Sequence, residues 1–316
     1  MKTSNHLLRR LTAALLAAVL ALSIALPVFA SDDGDTIYIN SVSDLLSLAK
    51  SCAYDQWSVG KTVILQKDLS LEGMLWEPIP SFSGQFKGNG HTISDLTITG
   101  QYSPAGLFGI VEEQGSIESL SVRGVVSVSD SADTTTGGIA GINHGTLISC
   151  QFTGVVTGDS EVGGIVGRNE SEGTIDHSTA RAIVTGKSST GGIAGYNLGA
   201  ITGCTNVGSI NTEYPEASLD TDGFTAKMVD YINNKMAAAA DDATNSVTNV
   251  ATDTGGIAGR SSGMILTSVN TGTVGYEHIG YNVGGIVGRT DGLVSGCVNQ
   301  GHVLGRKDVG GIAGQA

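Results

Sequence analysis

The pentapeptide Gly-Gly-Ile-Ala/Val-Gly occurs six times in this chain, at 137–141, 163–167, 191–195, 255–259, 284–288 and 310–314. A variant, Gly106-Leu107-Phe108-Gly109, precedes them. Measured between last glycines, successive copies lie 32, 26, 28, 64, 29 and 26 residues apart. A fixed period in this range is the signature of a solenoid, in which each repeat is one turn stacked on the last.

Aligning the repeats gives columns. One reads Ile117, Leu147, Ile175, Ile201, Ile265, Val294. The next reads Leu120, Cys150, Ser178, Cys204, Ser268, Cys297, followed by Val122, Phe152, Ala180, Asn206, Asn270, Asn299. A glycine column (124, 154, 208, 272, 301, with Ala182) leads to Val126, Val156, Val184, Ile210, Val274, Val303. The alternation has period two, which marks strands and not helices. About 26 residues per repeat leave no room for a crossover helix. The expected fold is all-β: a right-handed parallel β-helix with three short strands per coil, its hand taken from the preference of parallel connections. Glycine, 46 of 316 residues, is roughly twice its usual share and is expected to supply positive φ at the corners.

Residues 1–30 read as a secretory signal: basic Lys2, Arg9 and Arg10, an apolar run, and Val28-Phe29-Ala30 as a cleavage site. Residues 31–104 read as an entry module, with a strand at 36–40 and an amphipathic helix at 41–53 capping the first coil. Coils fill 105–211 and 254–316. Residues 212–253 read as a helical insertion, because Phe224, Met228, Ile232, Met236, Ala239 and Ala243 recur at three- and four-residue steps. The last motif opens a coil at 310–314, from which a longer protein is expected.

The motifs resemble the GLUG repeat of bacterial surface proteins, named for its Gly-Leu-x-Gly signature, which Gly106-Leu107-Phe108-Gly109 matches directly. The resemblance covers about 36–316, interrupted once. It implies an extracellular β-helix, often one segment of a longer surface protein. Some relatives in that family are immunoglobulin-A-cleaving metallopeptidases with the catalytic domain elsewhere in the chain. The motif is structural, so no catalytic residue carries over.

Without the signal the chain has 14 basic and 30 acidic residues (17 − 3 and 30 − 0). That argues against nucleic acid as a partner, since phosphate binding needs basic surface. Four cysteines in an exported chain invite disulfides. However, Cys150, Cys204 and Cys297 alternate with Ser178 and Ser268 in one column. Neighbouring thiols therefore sit two coils, about 9–10 Å, apart, and free thiols are expected. No His-Glu-x-x-His, Gly-x-Ser-x-Gly or Cys-x-x-Cys occurs. The expectation is a non-enzymatic surface scaffold or adhesion segment, secreted or on the cell surface, without cofactor or metal. The alternative is the non-catalytic β-helix of a larger surface metallopeptidase or carbohydrate-active enzyme.

One surface column stands out. It follows the last glycine of the motif and reads Ile110, Ile142, Arg168, Tyr196, Arg260, Arg289, Gln315. Arg168, Tyr196, Arg260 and Arg289 form the possible ligand-facing set, with a host or cell-wall glycan or a protein as partner. The competing reading is local pairing with Glu170, Asp291 or Asp308. Beside it Asn143, Asn169 and Asn197 read as an asparagine ladder.

Overall fold

A computed structural model describes residues 35–54, 56–128, 134–212 and 251–316. The signal at 1–30 and the expected insertion helices lie outside the described residues. The chain winds as a parallel β-helix of stacked coils. One coil shows the path: Ala140–Asn143, then Thr146–Ile148, Gln151–Thr157 and Val162–Gly163, before Val166–Asn169 repeats the first position one coil on. Each of these four positions builds its own parallel sheet, here numbered 1 to 4 in that order. They contain eight, nine, eight and six strands.

The coil thus has four sides, not the expected three. The fourth strand was hidden because it is as short as Thr136–Gly137 or Val162–Gly163. It ends on the motif's first glycine, inside what reads in the sequence as a corner.

The expected columns are the observed register. Leu147 pairs with Ile117 and Ile175, and Ile201 with Ile175 and Ile265. Phe152 lies between Val122 and Ala180. Val184, Ile210, Val274 and Val303 bridge in sequence. The motif isoleucines 139, 165, 193, 257 and 286 are fully buried. Stacking each apolar residue on its counterpart removes both from water, at roughly 25 cal/mol per Å².

The entry segment belongs to the same stack. Thr36–Ile39, Thr62–Leu65 and Gln85–Lys87 are the first three strands of sheet 2. Phe82, Phe86 and Phe108 form an aromatic cluster in the early coils, with centroids 5.4 to 6.3 Å apart. Helix α1 (Val42–Ser51) starts at Ser41, whose hydroxyl accepts from the Asp44 amide at 3.2 Å, while Asp44 accepts from the Asn40 amide. Ser41 thereby satisfies a free amide of the first turn, and Asp44 closes back on the residue before the cap. The helix buries Leu45 and Leu48 and packs on the strands Thr36–Ile39 and Ile79–Phe82. It therefore covers an end of the stack that would otherwise expose unpaired strands.

The insertion is shorter than expected. Ala251 is buried, and Thr252–Gly255 pairs with Ser188–Gly191 and Tyr281–Gly284 in sheet 4. The stack therefore resumes at 251, and 251–253 belong to it.

Glycine supplies positive φ at some corners, as at Gly203 and Gly296, but the motif glycines act by close approach. None of them has positive φ. A Cβ on the second glycine would run into the sheet 3 residue across the core: Phe152 for Gly138, Ala180 for Gly164, Asn206 for Gly192, Asn270 for Gly256 and Asn299 for Gly285. Positive φ falls at the turn from sheet 2 to sheet 3, where Gly203 and Gly296 share the row with Ser119, Ser149, His177 and Thr267. A second such row is Glu161, Ser189, Asp253, Asn282 and Asp308.

Candidate functional site

Sheet 1 places the surface column as the sequence predicts. Ile142 pairs with Arg168, Arg168 with Tyr196, Tyr196 with Arg260, and Arg260 with Arg289. Inward-facing Ala140, Val166, Ala194, Ala258 and Val287 alternate with them and are buried. The alternation turns the arginines outward.

Arg168 is held by two carboxylates. Its guanidinium donates from Nε to Glu161 at 2.7 Å and pairs with the second oxygen of the same carboxylate. Glu170 lies 3.6 Å away. The hydrogen bond to Glu161, above all, raises the Arg168 pKa. Glu161 was missed in the sequence. It sits in sheet 4's positive-φ row, which sequence alone did not place beside sheet 1.

Tyr196 lies between two guanidiniums, with Arg168 5.5 Å and Arg260 5.2 Å from its ring centroid. Both ring faces are thereby used within the protein, and its hydroxyl meets Ser262 at 3.3 Å. Asp291 stands beside the column's far end. Its pKa is lowered first by a hydrogen bond from Ser262 and further by the charges of Arg260 and Arg289. The four residues thus form one contiguous column, in which Arg168 is paired with Glu161 and Glu170, and Arg260 and Arg289 lie near Asp291.

The neighbouring column is buried. Asn143 Nδ2 donates to Asn169 Oδ1, and Asn169 Nδ2 to Asn197 Oδ1, each at 2.8 Å. Asn197 Nδ2 continues to Ser261 Oγ at 3.0 Å. The same amides donate to the carbonyls of Gly145, Gly173 and Gly199. A second ladder, Asn206–Asn270–Asn299, runs up sheet 3 at 2.7 and 2.8 Å. It was unrecognised in the sequence because its column begins Val122, Phe152, Ala180.

In the cysteine column, Cys150 and Cys204 are buried. Their backbone amides donate to Ser178 Oγ and Ser268 Oγ at 3.1 and 3.2 Å. Each serine therefore separates two thiols, and all four cysteines are free. Burial pushes the Cys150 and Cys204 pKa values up to about 12. Among the described residues no group of three or more His, Cys, Asp or Glu is placed to hold a metal. No helix among them is long and apolar enough to cross a membrane.

No family model matches the chain. Halomucin of Haloquadratum walsbyi is 32% identical over 155 residues, which is 45% of this chain and 2% of that protein. A Gly-rich protein of Evansella cellulosilytica, described as a candidate membrane protein, is 29% identical over 137 residues, 31% of this chain and 16% of that one. The chain therefore spans only a small fraction of these relatives. Among solved structures, a candidate immunoglobulin A1 protease from Bacteroides ovatus superposes with a TM-score of 0.56 at 18% identity, covering 84% of this chain and 77% of that one. At that identity the likeness concerns the fold, and it agrees with the β-helix described above.

Proposed function

We propose that this chain is a GLUG-type β-helix segment of an exported surface protein, acting as a non-catalytic scaffold or adhesion element. The observation that carries the reading is where the repeating residues are used. The repeating columns serve stacking, through buried aliphatics, amide ladders and close-approach glycines, while in the outward column Arg168 is paired with Glu161 and Tyr196 lies between Arg168 and Arg260. A coil built this way supplies length and rigidity. The matches to halomucin and to a Gly-rich candidate membrane protein support a place at the cell surface, as does the signal-like 1–30. The test is expression of the chain with residues 1–30 included, followed by protease shaving of intact cells. Release of the β-helix into the supernatant is expected. Protection inside intact cells would overturn the reading.

The fold shared with a candidate immunoglobulin A1 protease favours a second reading, the non-catalytic part of a larger surface peptidase. Under either reading the purified chain leaves immunoglobulin A1 uncut, and cleavage at a rate proportional to enzyme would reject both.

A further inference from the structure

We infer that the outer surface of the coils after residue 251 carries an interface for a second copy of this chain. The inference is independent of where the chain resides in the cell. On sheet 2 one outward row reads Ser116, Thr146, Thr174, Ala200, Met264, Leu293, each paired in register with the next. On sheet 3 the outward row that follows the cysteine column reads Ser121, Gln151, Thr179, Thr205, Val269, Val298. Both rows begin with hydroxyl and amide side chains. Both turn to Met, Leu and Val in the coils that resume at 251.

These apolar side chains are open to water. Met264 is 44% exposed, Leu293 53% and Val298 45%. Met264 has a strand paired on either side, at Ala200 and Leu293. Its exposure is therefore lateral and does not come from the end of the stack. Leu266 and Val269, both partly buried, lie between the two rows and join them round the corner from sheet 2 to sheet 3. Neighbouring strands stand about 4.8 Å apart, so the five side chains form one continuous patch. Contiguous exposed apolar surface of this kind marks a contact site, whereas single exposed residues do not.

Charge decides the occupant. Residues 251–316 hold four basic residues (Arg260, Arg289, Arg306, Lys307) and four acidic ones (Asp253, Glu277, Asp291, Asp308), so the formal charge of −13 lies wholly before residue 251. Two copies that met through the earlier coils would bring like charge together. Meeting here, they bring neutral coils together, and the repelling parts stay apart. Patch against patch is an isologous contact about a two-fold axis, in which each copy covers the Met264 and Leu293 of the other. The patch is smaller than the roughly 20–30 residues a side of a standard interface. The association is therefore reversible and depends on concentration.

The experiment is sedimentation equilibrium of the purified chain over a range of concentrations. The mass is expected to rise from monomer towards dimer and to stop there. Added salt screens the repulsion between the acidic coils, so the dimer should hold or strengthen. Met264→Thr with Leu293→Thr restores the residue type that Thr146 and Thr174 carry in the same row, and should weaken the dimer at least about tenfold. Leu75→Thr changes a side chain that is 72% exposed in the entry segment and should associate as the parent does. Circular dichroism confirms that each variant keeps its β signal. The inference is overturned if the parent stays monomeric, if salt dissociates the dimer, if the double variant associates like the parent, or if Leu75→Thr weakens association equally. A parent that is monomeric yet sediments with phosphatidylcholine vesicles would assign the patch to lipid and overturn it too.

Discussion

Replacing Asn169 tests whether the buried amide ladder holds the coils together or merely fills space. Asn169 accepts from Asn143 and donates to Asn197, both at 2.8 Å, and donates to the Gly173 carbonyl at 3.0 Å. Asn169→Leu keeps the volume and removes three hydrogen bonds, each worth about 1 kcal/mol net. It also leaves Asn197 Oδ1 buried without a donor, which costs about 1–3 kcal/mol more. The extra apolar contact of leucine returns about 1 kcal/mol. The expected loss is therefore about 3–5 kcal/mol, read as a lower urea midpoint by far-UV circular dichroism. Asn169→Asp adds a pH test. Its second oxygen would face Asn197 Oδ1 and the Gly173 carbonyl, three acceptors together, and the charge would be buried. Both effects raise the folded-state pKa of the new carboxyl above its unfolded value of about 3.9. The proton then favours folding, so this variant should recover stability, relative to the parent, as pH falls through that raised pKa. If either variant lay within about 1 kcal/mol of the parent at pH 7, below the ordinary worth of these bonds, the ladder would be shown to carry no stability.

Three further outcomes are expected. Asn143 Oδ1, the first acceptor of the ladder, is buried without a partner above Val111, so Val111→Thr should be near neutral, whereas Val126→Thr in an apolar column should cost about 1–3 kcal/mol for its unpaired hydroxyl; equal losses in urea melts would contradict this. Cys150 and Cys204 have folded pKa values raised from 9.0 to about 12 by burial, so the stability of their neutral thiols is full below pH 9 and lost as pH rises towards 12. Replacing both by serine, the residue their column already alternates with, should flatten the alkaline limb of a stability–pH curve, and an unchanged limb would disprove it. Ile201 is fully buried and Arg260 faces outward, so Ile201→Asp should cost several kcal/mol and Arg260→Ala under about 1 kcal/mol, and equally stable variants would reverse the assignment of inside and outside.

Much of this fold is written in the sequence because a solenoid repeats its solution. Ile117, Leu147, Ile175, Ile201 and Ile265 face one environment, so they recur as one residue type and their spacing gives the register directly. The Arg168–Tyr196–Arg260–Arg289 column was legible for the same reason. The features that escaped are those whose evidence is not repeated identity. Thr136–Gly137 and Val162–Gly163 are strands too short to alternate. Glu161 meets Arg168 across a corner whose angle no spacing encodes. The role of Gly138 depends on Phe152 across the core, a pairing between columns and not within one.

The facing pairs across the core carry a consequence for how such a chain changes over time. The second motif glycine leaves space opposite it, and that space accepts Phe152, Ala180 or Asn206 in successive coils while the same backbone register continues. Each coil therefore presents the same perimeter to its neighbours whatever it holds inside. Duplicating or deleting one whole coil joins two compatible surfaces, whereas losing a few residues within a coil misaligns four sheets at once. Length is the property this architecture can vary most freely, in steps of about 26 to 29 residues, and the unit of that variation is the coil.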